Sequence, residues 1–229
     1  MKSASIPLGK YFDMEIYYGI KTGLNKAFLI DDKVKEKLTK EDPKSMGLIR
    51  PLVVGDSIRK YHIRNDLKYI ILIPNGWTIE HSGNDPDKWS WFRRHYPAIA
   101  NHLAQFGKEA ESRYDKGEYW WELRPCDYYD KMEMPKIVFP DIAKESRFAY
   151  DETSKFVLNT AYIIPKNDFY LLGILNSRLI FSYYKRTASV LGDPDKRGRL
   201  RWIYQDVIDI PIYDLNKASG SYSLPYHLI

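Results

Sequence analysis

The five residues Tyr69-Ile70-Ile71-Leu72-Ile73 are wholly apolar and stop at Pro74-Asn75-Gly76. A short apolar run closed by turn formers has the pattern of a buried strand. The same punctuation recurs along the chain. Residues 15–18 lead through a turn-rich segment, 19–25, into a second extended run at 27–30, and Asp31-Asp32 then opens a short charged helix to about Lys40. Residues 118–124 are aromatic and read as extended, 136–139 are β-rich, 147–150 and 156–164 continue the strand signals, and a last short run falls around 208–212. Two stretches carry a helical period instead. Pro97 suits the first turn of a helix whose apolar positions Ile99, Leu103, Phe106 and Ala110 step by four, three and four. Asp168 suits the N-cap of a second, in which Leu172, Leu175, Leu179 and Tyr183 share a face. Gly173 inside it costs about 1 kcal/mol against Ala, tolerable where another backbone comes close. The pattern predicts an α+β fold of mixed, largely antiparallel twisted sheets with two longer helices. With no repeat, linker or boundary in sight, residues 1–215 are expected to form a single domain, followed by a polar tail at 216–229.

Composition excludes more than it assigns. In 229 residues the apolar and charged fractions, 44% and 28%, are those of a chain that folds by itself. One cysteine, Cys126, rules out an internal disulfide framework and a multi-thiolate zinc site, and fits a cytoplasmic protein. No apolar run approaches eighteen residues, so no membrane partner is expected. The five histidines form no HExxH pair, and no metal is assigned. The phosphate-cradling GxGxxG and GxxxxGK[ST] patterns are missing, as are the Asn/Asp-Pro-Pro-Tyr motif of amino-methyltransferases and the Pro-Asp…Asp/Glu-x-Lys spacing of many restriction nucleases. No carboxylate pair is marked for acid-base work. The chain reads as a binder without a catalytic residue of its own.

Three features could carry binding. The loop at 19–26 offers Lys21, Thr22, Asn25 and Lys26 as donors to phosphate oxygens or base edges, with two glycines that would let backbone approach a ligand; a hairpin turn with polar decoration explains it as well. Between Arg178 and Arg201, seven basic residues face two acidic ones, a surplus equal to the +5 of the whole chain. A charge run is commonly a solvated face, but arginine predominates here, and a planar guanidinium can take guanine through two hydrogen bonds. Arg197, Arg199 and Arg201 in its late loop join the glycine-loop residues as candidates for base and phosphate contact. Arg59, Lys60, Lys185 and Arg186 are candidates for holding the nucleic-acid backbone. The third feature is aromatic: Trp120, Trp121, Tyr128 and Tyr129 around Arg124 could stack on a base, although core packing is expected for at least one Trp of the pair. Trp77, Trp89 and Trp91 fit a contact surface or a covered core edge equally.

Several of these segments, in order, resemble one family. They are Gly19-Ile-Lys-Thr-Gly-Leu-Asn-Lys-Ala-Phe-Leu-Ile-Asp31, Ile49-Arg-Pro-Leu-Val-Val-Gly-Asp-Ser-Ile-Arg-Lys-Tyr61, Tyr96-Pro-Ala-Ile, Trp120-Trp-Glu-Leu-Arg124 with Cys126-Asp-Tyr-Tyr129, Pro135-Lys-Ile-Val138, Tyr170-Leu-Leu-Gly-Ile-Leu-Asn-Ser-Arg-Leu179 and Ile210-Pro-Ile212. Together they resemble the TaqI-like C-terminal specificity domain, the target recognition domain of adenine-specific DNA methyltransferases and type IIG restriction-modification enzymes. The resemblance implies a domain that reads a short double-stranded DNA sequence for an N-terminal methyltransferase domain or subunit. That partner would hold S-adenosylmethionine, and no cofactor is expected in these residues. Where such domains often carry Arg-Gly-Arg, this chain has Val54-Gly55-Asp56. The competing expectation, from a different class, is a protein-interaction module that docks a catalytic subunit without reading sequence.

Overall fold

Strand Lys136–Pro140 is buried at every position, which requires packing on both of its faces. In this computed structural model, which describes residues 5–11, 13, 15–66, 68–191 and 198–213, two hydrophobic clusters supply that cover. Side-chain alternation sends Ile137 and Phe139 into one cluster and Val138 into the other. The neighbouring strand Ala161–Ile164 repeats the division, with Ala161 and Ile163 on one side and Ile164 on the other. The sheet holding both runs in the order Ala149–Asp151, Lys136–Pro140, Ala161–Ile164, Tyr17–Tyr18, antiparallel throughout. It is the wall shared by the two cores.

The first core is built on a second four-stranded sheet, ordered Phe156–Val157, Ile49–Val53, Lys68–Ile71, Leu29–Asp31. Its pair between Phe156–Val157 and Ile49–Val53 is parallel and the rest antiparallel. The apolar run foreseen at 69–73 lies here, with Ile70, Ile71 and Ile73 fully buried. Asp31 caps helix Asp32–Glu41 by accepting from the Val34 N–H at 2.9 Å. Helices Lys88–His95 and Pro97–Ala104 also pack on this core, through Phe92, Ile99 and Leu103. The expected extended run at 27–30 is half helical turn, Asn25–Phe28, and half strand. At 118–124 the expectation of a strand fails: the Glu122 N–H donates to the Tyr119 carbonyl, closing a turn. Trp121 is nonetheless buried, its indole N–H donating to the Thr78 hydroxyl at 2.9 Å.

Both periodic stretches are helical, each divided once. The first becomes Pro97–Ala104 and Gly107–Ser112. The second becomes Phe169–Leu175, capped by Asp168 as expected, and Arg178–Thr187, capped by Ser177. The division shifts the apolar face by one residue: Ile180 and Tyr184 are buried, whereas Leu179 and Tyr183 are exposed. Its cause is Asn176, whose amide donates to the Phe148 carbonyl at 2.8 Å and accepts from the Phe148 N–H at 3.2 Å, acting as a strand partner inside a helical segment. Asn176→Ala should cost about 2 kcal/mol, since both Phe148 groups are buried and would lose their partner. A urea midpoint unchanged from wild type would contradict this. Gly173 is not explained by a close backbone, for a Cβ there would meet nothing within 4 Å.

Candidate nucleic-acid interface

The glycines of the loop at 19–26 serve the protein's own backbone. A Cβ on Gly19 would sit 2.1 Å from the Leu158 carbonyl oxygen, and Gly23 has a left-handed φ of 69° with the Asp115 carbonyl against it. The loop is thereby pressed onto the strand end at 157–158, where the Ile20 N–H donates to the Val157 carbonyl at 2.7 Å. Thr22 is buried: its hydroxyl donates to Asn25 Oδ1 at 2.7 Å and accepts from the Leu24 N–H at 3.1 Å. The hydroxyl proposed as a ligand donor is therefore already committed within the protein. Asn25 is exposed, with its amide nitrogen outside that bond.

Two further residues of this loop carry its charge. Lys21 pairs with Asp115 at 3.3 Å, and Arg124 pairs with the same carboxylate at 3.3 Å. Burial pushes the Asp115 carboxyl up, but Lys21 and Arg124 outweigh that and hold it below the usual carboxylate range. Two cations thus share one anion. Lys26 is exposed and pairs with Glu109 at 2.6 Å, above the Phe106 ring.

Lys21 and Arg124 border a pocket of about 150 Å³ whose walls include Tyr18, Gly19, Tyr128 and Tyr129. The aromatic set foreseen around Arg124 is therefore split. Tyr128 and Tyr129 line the pocket, while Trp120 and Trp121 pack against Trp89, with ring centroids 4.6 and 4.8 Å away. Trp77, Trp89 and Trp91 cover the edge of the first core.

Tyr18, on the pocket wall, lies within the electrostatic reach of the late basic segment. Its ring lies 4.7 Å from that of Tyr162, and its hydroxyl is raised in pKa by burial and by Asp141, with Arg201 opposing. Arg201 belongs to strand Arg199–Arg201, which pairs with Val190–Leu191 on one side and Ile142–Ala143 on the other. Burial pushes the Asp141 carboxyl up and Arg201 pulls it down. Arg201 Nε and Asp141 Oδ1 are both buried and have no hydrogen bond among the described residues. Arg199, on the same strand, is exposed, as are Lys185 and Arg186 in the last turn of helix Arg178–Thr187, just ahead of the hairpin. Arg186 and Arg199 form no ion pair among the described residues. Arg197 lies outside the described residues.

Arg59 and Lys60 are placed elsewhere. They sit on the hairpin joining Ile58–Arg59 to His62–Ile63, which backs onto Ala149–Asp151, the sheet edge opposite Tyr17–Tyr18. Arg59 is turned onto its own chain, donating to the Asp56 and Ile58 carbonyls at 2.7 and 2.9 Å. Lys60 is exposed, 5.5 Å from the Tyr61 ring centroid. These two therefore lie at the sheet edge away from the strand that carries Tyr18 and the pocket.

Sequence inspection does not single out Arg113, which organises the site. Only 8% exposed, its guanidinium donates to the carbonyls of Thr22 and Glu122 and, at 3.1 Å, to that of Trp120. It stacks 4.4 Å from the Phe28 ring centroid. One side chain thus ties the glycine loop to the turn that leads into Arg124. Glu122, fully buried, anchors the far side of that turn by accepting from the Thr78 and Gly76 N–H groups at 2.9 and 3.2 Å. A lone arginine in a polar stretch carries no signal of this in the sequence.

The sequence profile of the TaqI-like C-terminal specificity domain matches residues 50–212. Type II methyltransferase M.BanIII of Aneurinibacillus aneurinilyticus is 24% identical over 209 residues, which cover 86% of this chain and 34% of that protein. The fold is shared with the Type IIL restriction-modification enzyme MmeI, solved in complex with DNA, at a TM-score of 0.62 and 15% identity over 85% of this chain and 24% of that one. It is shared also with the type IIG restriction endonuclease BpuSI, at 0.52 and 14% over 94% of this chain and 25% of that one. The chain spans about a third of the methyltransferase and about a quarter of each restriction enzyme. No helix among the described residues is long and apolar enough to cross a membrane. With a profile match over most of its length and the expected α+β architecture, the chain belongs to the TaqI-like C-terminal specificity domain family.

Proposed function

We propose that this domain reads a short sequence in double-stranded DNA and so directs a separate, N-terminal adenine-specific methyltransferase domain, which would bind the methyl donor, to its target. The observation that carries the reading is a set of exposed cations: Lys21 and Arg124 border one pocket, and Arg186 and Arg199, which form no ion pair among the described residues, stand at the helix end and strand of the late basic segment. Exposed arginines can neutralise phosphates, while residues seated on strands and tight turns hold the fixed geometry that base reading needs.

Fluorescence anisotropy with randomised duplexes, across 50 to 200 mM salt, tests it. Arg199→Ala or Arg186→Ala at a phosphate contact should weaken all sequences alike and reduce the slope of log affinity against log salt by about one. At a base contact, the same change should cost about 1–3 kcal/mol and relax one position of the selected sequence. If the double variant binds like wild type at low salt, the assignment of these arginines is wrong.

The interaction-module reading also has a feature behind it. Leu179, 61% exposed, and Tyr183 lie one turn apart on helix Arg178–Thr187 beside Arg186, an apolar strip suited to a protein partner. A chain that shows no salt-dependent duplex binding would favour it.

A further inference from the structure

We propose that the pocket between the glycine loop and the 124–129 segment takes a single nucleobase that has left the stack, with Lys21 and Arg124 holding a phosphate beside it. This rests on the reading of the chain as a DNA-binding domain and adds a second recognition mode to groove contact.

The chemistry of the walls points to a flat, uncharged heterocycle. The rings of Tyr18, Tyr128 and Tyr129 offer π faces, and a base of any identity can stack on such faces. Tyr128 is itself held in place by Tyr17, with ring centroids 5.0 Å apart, so the wall is set before a ligand arrives. The Tyr129 hydroxyl is buried and has no hydrogen-bond partner among the described residues, a polar group able to meet a base edge. The lining hydroxyls and the thiol stay neutral at ordinary pH: burial pushes the Tyr128 phenol up to about 12, with nearby Cys126 adding to it, and burial raises Tyr129 and Cys126 as well. A phosphate on that neutral, half-apolar floor would lose its hydration for no compensating charge. Positive charge is confined to the border, where Lys21 and Arg124 share the Asp115 carboxylate, with Asp127 the further anion near the floor. That division, neutral aromatic floor and cationic border, matches the division of a nucleotide into base and phosphate. The volume of about 150 Å³ admits one base and leaves no room for a stacked pair.

The test compares the full chain on a duplex with one unpaired bulged base and on the matching perfect duplex, at low salt, by anisotropy. The expected result is a preference for the bulge of about tenfold, in keeping with one base stacked on aromatic rings. Cys126→Phe, which fills the pocket, and Tyr128→Leu, which removes one wall, should each bring the ratio to about one, with thermal melting confirming that the variants fold. Arg124→Ala should lower affinity for the bulged duplex and reduce the slope of log affinity against log salt by about one. Equal binding of both duplexes by wild type, or a preference that survives Cys126→Phe in a folded variant, overturns the pocket and leaves duplex recognition standing. Failure to bind either duplex overturns both readings.

Discussion

Replacing Arg113 by methionine should cost about 3–5 kcal/mol of stability, because a buried group serving several partners is removed and those partners are left without it. The guanidinium serves three carbonyls, of Thr22, Trp120 and Glu122. Methionine keeps much of the stem against Phe28 and serves none of them. Burial pushes the Arg113 guanidinium down to about 10, with Asp115 pulling the other way, so the group keeps its charge at neutral pH and the wild type pays no deprotonation there. Arg113→Lys should fall between the two, since one ammonium cannot satisfy three carbonyls arranged around a planar fork. The measurement is a urea titration of each variant. A midpoint for the methionine variant within error of wild type would show that the three carbonyls find other donors. Well below the melting temperature, where both proteins are folded, DNA affinity should also fall in the methionine variant, because the glycine loop and the Arg124 turn lose the side chain that sets their distance.

That prediction concerns a residue which no pattern in the sequence marks, and the contrast with what patterns do mark is informative. The buried run at 69–73, the caps Asp31 and Asp168, and the alternation through Lys136–Pro140 are consequences of neighbours along the chain, and each is present where local chemistry places it. The expectations that fail are those that distant contacts decide. Periodicity alone carries the second helix straight through Asn176, yet the Phe148 backbone, 28 residues away, takes that side chain and turns the following helix by one position. Residues 118–124 have strand-forming side chains, but Glu122 is drawn to the Thr78 N–H and folds the segment into a turn. The glycines at 19 and 23 look like a ligand cradle, and they are spent on the approach of Leu158 and Asp115. For the candidate site the same rule holds. The residue types were legible as donors and cations, whereas their grouping was not: Lys21 and Arg124 meet through Asp115, and Arg59 and Lys60 fall at the opposite sheet edge.

Lys136→Met should be comparably damaging, about 3–5 kcal/mol, because it strands the Asp151 carboxylate in the interior without a countercharge. Lys136 and Asp151 are fully buried partners on adjacent antiparallel strands, directly opposite in register, with Nζ 2.7 Å from Oδ2. The carboxylate also accepts from the Thr153 hydroxyl at 2.6 Å and from the N–H groups of Thr153 and Lys155 at 3.2 and 3.1 Å, which fixes the turn after the strand. Burial pushes the Asp151 carboxyl up, but Lys136 and Thr153 prevail and hold it below the usual carboxylate range. A carboxyl with a depressed folded pKa contributes stability that is present above its unfolded pKa and lost as pH falls through the folded one. In the wild type this loss should therefore fall below about pH 4, the unfolded range of an aspartate. In Lys136→Met the sign reverses. With the ammonium gone, burial dominates, the folded pKa rises above the unfolded value, and the variant should grow less unstable relative to wild type as pH drops from 7 toward 4. Lys136→Met with Asp151→Asn removes the stranded charge and keeps one oxygen for Thr153, so it should recover part of the loss despite carrying one more substitution. A double variant less stable than Lys136→Met at pH 7 would mean that the turn bonds of Asp151, and not its pairing with Lys136, are what the strand pair depends on.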